Sequence, residues 1–189
     1  MVVLATGAIT ATCYLKSERV AVQRAIGRLN DHEWKQMFES AIEDEPRMMG
    51  CDPPAFARLM DSVMEGKDLR FELIGQAGRA GARPVSTYSL RVFDSNGGEL
   101  PNTLSLYVGK SGSRYCVSIG DIPFQCALLQ SEDWARSLRD LADAMERESV
   151  TRLLNPNDMI VTTPAMIREA VSQDGELEPA SAWRRISGF

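Results

Sequence analysis

The side chains able to do chemistry in this sequence are few and scattered. His32 is the only histidine, which excludes sites built on several imidazoles, such as H-E-x-x-H zinc motifs, and any Ser/His/Asp-type triad would have to use it. It lies between Asp31 and Glu33, an acid–base cluster in outline. All three stand at a helix start, where capping and the helix dipole already account for the acids, so His32 is expected to be exposed. Cys13, Cys51, Cys116 and Cys126 contain no C-x-x-C pair, so neither a zinc ribbon nor a thioredoxin-type motif is present. An even count allows disulfides in an exported protein and equally fits four independent thiols packed as small hydrophobes. Arg79, Gly81 and Arg83 could hold an anion, although arginine in a surface loop ordinarily serves solubility. No metal site and no cofactor motif emerge from this inventory.

The elements that must position these groups follow from periodicity. After Ser17, Val22, Ala25, Ile26 and Leu29 share one helical stripe; Trp34, Met37, Phe38, Ala41 and Ile42 form a second. Beyond an acidic connection from Glu43 to Cys51, Asp52 caps and Pro53 opens a third helix with Phe56, Leu59, Met60, Val63 and Met64 apolar and Gly66 at its end. The period then changes from 3.6 to 2. Leu69-Phe71-Leu73, Tyr88-Leu90-Val92, Leu104-Leu106-Val108 and Tyr115-Val117-Ile119 alternate with polar residues, which predicts four half-buried strands. Gly75 to Pro84 reads as a Gly/Arg-rich loop, Asn96-Gly97 as a hairpin turn, and Lys110-Ser111-Gly112-Ser113 as a tight turn, so the strands should form an antiparallel meander. Past Asp121, a helix capped by Ser131 carries Trp134, Leu138, Leu141, Ala142 and Met145, and another runs from Thr163-Pro164 to Val171. The end, Gln173 to Phe189, has no sustained period.

The chain of 189 residues, 44% hydrophobic and 25% charged, is globular in composition, and its length favours one domain with extensions. With 21 basic against 26 acidic residues it lacks the clustered cation excess that nucleic acid requires. Met1 to Leu15 carries no charge and is followed at once by Lys16, Glu18 and Arg19. It is shorter than the roughly 20 residues of a membrane span and lacks a basic n-region. Two readings stay open: the end of a targeting segment, which favours the cell envelope over the cytoplasm, and a packed N-terminal helix or strand. Cys13 fits a lipidation site poorly, because Thr10-Ala11-Thr12 lacks the usual aliphatic and small residues.

Three helices followed by four antiparallel strands is an α+β arrangement in which helices must cover the sheet's apolar face. The step Ala25-Ile26-Gly27-Arg28-Leu29-Asn30-Asp31-His32-Glu33-Trp34 resembles the opening of the nuclear transport factor 2-like (SnoaL-like, cystatin-like) superfamily. The run Leu69 to Asp121, with its hairpin at Asn96-Gly97 and Tyr115 before Val117-Ser118-Ile119, is similar to that superfamily's final strands. The resemblance implies helices laid on a curved sheet over 17–121, here three N-terminal helices and four strands; the apolar segment 1–16 and the helical extension and tail over 122–189 lie outside it and are read from the residues alone. It covers fold and does not decide activity, since such domains include isomerases, dehydratases and non-enzymatic accessory modules.

The concave face implied by the resemblance would carry Leu69, Phe71, Leu73, Leu90, Val92, Leu104, Leu106, Val108, Val117 and Ile119, with no acid, base or histidine among them. An isomerase-like site needs a carboxylate base in the pocket. The expectation is therefore a non-catalytic binding or accessory domain for a protein or a small apolar ligand, able to dimerise through the sheet or the C-terminal helix. Tyr88 and Tyr115 are the polar-tipped residues on that face and could orient a ligand. Trp34, with Phe38, Phe56 and Met60, is accounted for by core packing, yet stands where a ligand wall would. The alternative, a small-molecule enzyme, would draw its acid/base residues from the helices, with Asp61 or Tyr88 as candidates, and Asp61 beside Met60 and Met64 is the position that decides it.

Overall fold

The computed structural model describes residues 17–80, 85–155 and 160–172. The apolar N-terminal segment with Cys13, the arginine-loop residues Gly81 and Arg83, and the tail from Gln173 lie outside the described residues. Helix α1 (Glu18–Asn30) buries Val20, Val22, Ala25 and Leu29. Its end is fixed to the sheet by Asn30, whose side chain accepts from the Phe71 amide at 2.7 Å and donates to the Phe71 carbonyl at 3.1 Å, as a neighbouring strand would. Helix α2 (Trp34–Glu39) stops before the expected Ala41 and Ile42. Ser40 and Ile42 instead exchange backbone hydrogen bonds with Val117, because that strand edge is otherwise open and its polar groups need partners.

The stretch read as an acidic connection contains a further helix, α3 (Glu45–Met49), with proline in its first turn and Gly50 left-handed at φ 68° beyond its end. Helix α4 (Pro53–Met64) starts as expected: Asp52 Oδ1 accepts from the Ala55 amide at 2.8 Å. Four strands follow, β1 (Arg70–Ala80), β2 (Val85–Phe93), β3 (Leu104–Ser111) and β4 (Arg114–Val117), in one antiparallel sheet ordered β1-β2-β3-β4. Phe71 pairs with Val92, Leu90 with Leu104, Tyr88 with Leu106 and Val108 with Val117, which puts the predicted apolar row on one side. Helix α1 packs against β1, β3 and β4. Arg70, Arg91 and Arg114 are exposed.

Within the sheet, two further details depart from the sequence reading. β1 continues through Gly75 to Ala80, where a loop was expected, with register shifts between Leu73 and Gly75 and between Gln76 and Gly78. Glycine inside a strand marks a bulge as readily as a turn. Leu73 belongs to the expected buried row but is 42% exposed, with Ile74 at 49%, where the bulged arm begins.

Helix α5 (Ile122–Leu128), not predicted, packs against β3 and α4. Helix α6 (Trp134–Arg147) is capped by Asp133, whose Oδ1 accepts from the Arg136 amide at 2.9 Å, and not by Ser131, whose hydroxyl bonds Ser137. Its stripe of Leu138, Leu141, Ala142 and Met145 is buried against α4, α5 and the last described helix, α7 (Pro164–Ser172). A short hairpin, β5 (Leu153–Asn155) with β6 (Ile160–Thr162), precedes α7. Gly120 lies so close to β5 that an added Cβ would stand 2.5 Å from the Leu154 Cβ, and its carbonyl accepts from the Leu154 amide. One hydrophobic cluster runs from Val22 to Val171, joining the segment after Asp121 to the helices and sheet before it.

Candidate functional site

Three of the four residues singled out from sequence are held in two hydrogen-bonded pairs, Trp34 with Asp61 and Tyr88 with Glu18. Trp34 is buried, and its indole N–H donates to Asp61 Oδ1 at 2.9 Å. Asp61 is exposed, so this helix-borne acid is neither buried nor unpaired; it satisfies the donor of a core tryptophan. His32 is exposed and stacks on Trp34 with ring centroids 5.1 Å apart. Tyr88 and Tyr115 are half-buried on the apolar side of the sheet. The Tyr88 hydroxyl donates to Glu18 Oε1 at 2.9 Å, and burial, with this hydrogen bond and the nearby charge of Glu18, pushes its phenol up to about 12. None of the four lines either of the two cavities described below.

A different set of acids is buried. Glu45, from α3, is 2% exposed; its Oε1 accepts from the Ser118 hydroxyl at 2.6 Å and its Oε2 from the Ile119 amide at 2.8 Å. It thus holds the chain that leaves β4. Asp121, just before α5, is 3% exposed. Its Oδ2 accepts from Gln125 Nε2 at 2.7 Å, while Oδ1 accepts no hydrogen bond among the described residues. Burial pushes the Asp121 carboxyl well above the usual carboxylate range, and the charge of Glu45 pushes the same way; the hydrogen bonds from Gln125 and from its own backbone offset this only in part.

Gln125 also explains why Asp121 is placed there. Its Oε1 accepts from the Ser105 amide at 2.7 Å and its Nε2 donates to the Ser105 carbonyl at 2.9 Å. β4 pairs with β3 only from Val108 onward, so Ser105 would otherwise present open backbone groups, and the glutamine amide fills the missing strand's place. The same side chain therefore ties α5 to the sheet and orients the acid.

Asp121, Gln125 and Ser105 line a cleft of about 480 Å³ with Pro101, Asn102, Thr103, Tyr107, Phe124, Leu128, Leu129, Ser131 and Trp134. Ser105 and Tyr107 alternate with Leu104, Leu106 and Val108, so the cleft lies on the side of β3 opposite the apolar row. Its size suits a small molecule, and it combines aromatic walls with a buried acid. A second cavity, about 500 Å³, is lined by Lys67, Asp140, Asp143 and Arg147 among others. There Lys67 Nζ donates to the Cys126 and Ala127 carbonyls at 2.7 and 3.1 Å, and burial lowers its pKa.

The three described cysteines are free. Burial raises the Cys51 thiol to about 11 and the Cys126 thiol to about 12, which suppresses the reactive thiolate. Among the described residues no group of three or more His, Cys, Asp or Glu is placed to hold a metal, and no helix is long and apolar enough to cross a membrane.

Sequence reasoning passed over Asp121, Gln125 and Glu45. One signal was present: Asp121-Ile122-Pro123 has the Asp-then-proline form of a helix start, followed by Phe124 and Leu128. Nothing in the spacing brings Glu45 to it. No known protein family matches this chain, and no curated protein is similar enough to count as a relative.

Proposed function

We propose that this chain is a non-catalytic binding or accessory domain of the nuclear transport factor 2-like kind, its helices laid on a curved sheet whose apolar face serves as core. The observation that carries this reading is the closure of that face: Leu69, Phe71, Leu90, Val92, Leu104, Leu106, Val108, Val117 and Ile119 are all 3% exposed or less. Side chains packed this densely leave no room for a substrate, and the face bears no acid or base to act on one. Binding then falls to the outer surfaces, among them the cleft beside Asp121, which Tyr107, Phe124 and Trp134 line. An envelope location through the N-terminal segment belongs to the same proposal.

A second reading, a small-molecule enzyme, is favoured by Asp121. A buried carboxyl that holds its proton to higher pH than an exposed one is the form a general acid takes. Fragment titration followed by amide chemical shifts tests the accessory-domain reading, and turnover of a fragment bound in the cleft, lost in Asp121→Asn, would favour the enzyme instead. On the accessory-domain reading, shifts cluster at Ser105, Tyr107, Gln125 and Trp134, with Leu90, Leu104 and Val117 silent. Fragments that shift the apolar row instead would show a pocket inside the sheet and overturn it.

A further inference from the structure

We propose that the cleft beside Asp121 binds a small organic cation, a primary amine carried on an apolar or aromatic body. Gln125 Nε2 spends its two hydrogens on the Ser105 carbonyl and Asp121 Oδ2, and the Ser105 amide is taken by Gln125 Oε1. Asp121 lines the cleft and is 3% exposed; its Oδ1 has no donor among the described residues and is itself shielded from solvent, so the carboxyl must turn toward the cleft to meet a ligand. A carboxyl oxygen left so is costly, and a ligand that brings hydrogens would relieve it. An ammonium brings three.

Charge points the same way. Among the described residues no lysine, arginine or histidine lines the cleft, so an anionic ligand would meet Asp121 with no counter-charge from them. Glu45 adds a second negative charge close enough to act on Asp121. The walls supply the rest of the ligand's surroundings: Phe124, Leu128 and the half-buried Trp134 suit a hydrocarbon or aryl body, and an indole face attracts a nearby cation.

The proton balance is explicit. Where Asp121 is protonated, the ammonium enters and the carboxyl proton leaves to solvent, so the net charge of the cleft is unchanged and an N–H···O⁻ pair replaces the O–H. Affinity therefore rises with pH until Asp121 is ionised in the free protein.

This inference deepens the binding reading given above and rests on it. The test is calorimetric titration of the whole chain with phenethylamine at pH 6 and pH 8, each in two buffers of different ionisation enthalpy, with 2-phenylethanol and phenylacetate as uncharged and anionic counterparts. The amine should bind at least as tightly at pH 8 as at pH 6, with any gain matched by proton release at the lower pH, and exceed both counterparts by about tenfold or more. Asp121→Asn should lose at least that factor; Ser131→Lys, which sets a resident ammonium at the half-exposed rim, should do the same without touching the core. Equal binding of the alcohol or the carboxylate, tighter amine binding at pH 6, undiminished binding by Asp121→Asn, or no amine binding in the millimolar range overturns the proposal. Binding of the alcohol in the cleft with the amine no better breaks the ligand class alone, whereas shifts along the apolar row break the underlying reading.

Discussion

The two sides of strand β3 are built on opposite terms. On one, Leu104, Leu106 and Val108 stand in a row that asks only for volume and contact, and every one of them is 1% exposed or less. On the other, Ser105 and Tyr107 look toward Asp121 and Gln125, where each polar atom must find a specific partner at a specific distance. The apolar side tolerates chemical monotony because dispersion and burial are non-directional. The polar side is directional, and it leaves one oxygen, Asp121 Oδ1, without a hydrogen bond among the described residues. A surplus of this kind is what a binding site presents and a core does not.

Substitutions on the two sides should differ in size and in sign. The largest effect is expected from Leu106→Ala, which empties the middle of the apolar row and should cost about 2–5 kcal/mol in denaturant unfolding. A loss below about 1 kcal/mol would mean that this side is not close-packed. Glu45→Ala comes next, at about 2 kcal/mol, because the Ser118 hydroxyl and the Ile119 amide both lose their acceptor in a buried place. Retained stability would show that Glu45 is no anchor for the chain leaving β4.

Asp121→Asn should move stability the other way, and in a pH-dependent manner. The unfolded carboxyl loses its proton near its ordinary value of about 4, whereas the buried one holds it to higher pH. Its contribution to stability is therefore full below the unfolded value and is lost as pH rises through the window up to the raised folded value. The asparagine variant has no such loss, so its melting temperature relative to the natural protein should rise from pH 4 to pH 8, with a gain of about 1 kcal/mol at the upper end. A difference that stays flat or falls with pH would break this account of Asp121. The smallest effect is assigned to Asp61→Ala: it removes the acceptor of the Trp34 indole at a site open to water, and should cost about 0.5–1 kcal/mol. Loss of global folding in that variant would give Asp61 a larger part than a partner for Trp34.

Much of the architecture was legible before any coordinates. The stripes on α1 and α4, the Asp52-Pro53 helix start and the alternation along four strands describe what the structure contains, since each is a local pattern with a local cause. The misreadings share a different cause. Ala41 and Ile42 fit a helical stripe, but the open edge of β4 drew them out of α2; Leu73 fits the strand row, but the bulge at Gly75 carried it off the core. In both, a distant partner or its absence overrode the local pattern.

The same division separates the fold from the candidate site. Periodicity, caps and turns, which depend on residues a few positions apart, settled on their own that this chain is an α+β protein with an apolar side to its sheet. They could also name Trp34, Asp61, Tyr88 and Tyr115 as residues of interest, because type and face are local properties. Only the tertiary structure decided that Asp61 serves Trp34, that Tyr88 is tied to Glu18, and that Glu45 and Asp121, 76 positions apart by their numbering, act on one another inside the protein. Burial is what turns an ordinary surface acid into a group with an unusual proton affinity, and burial is set by what the rest of the chain packs around it.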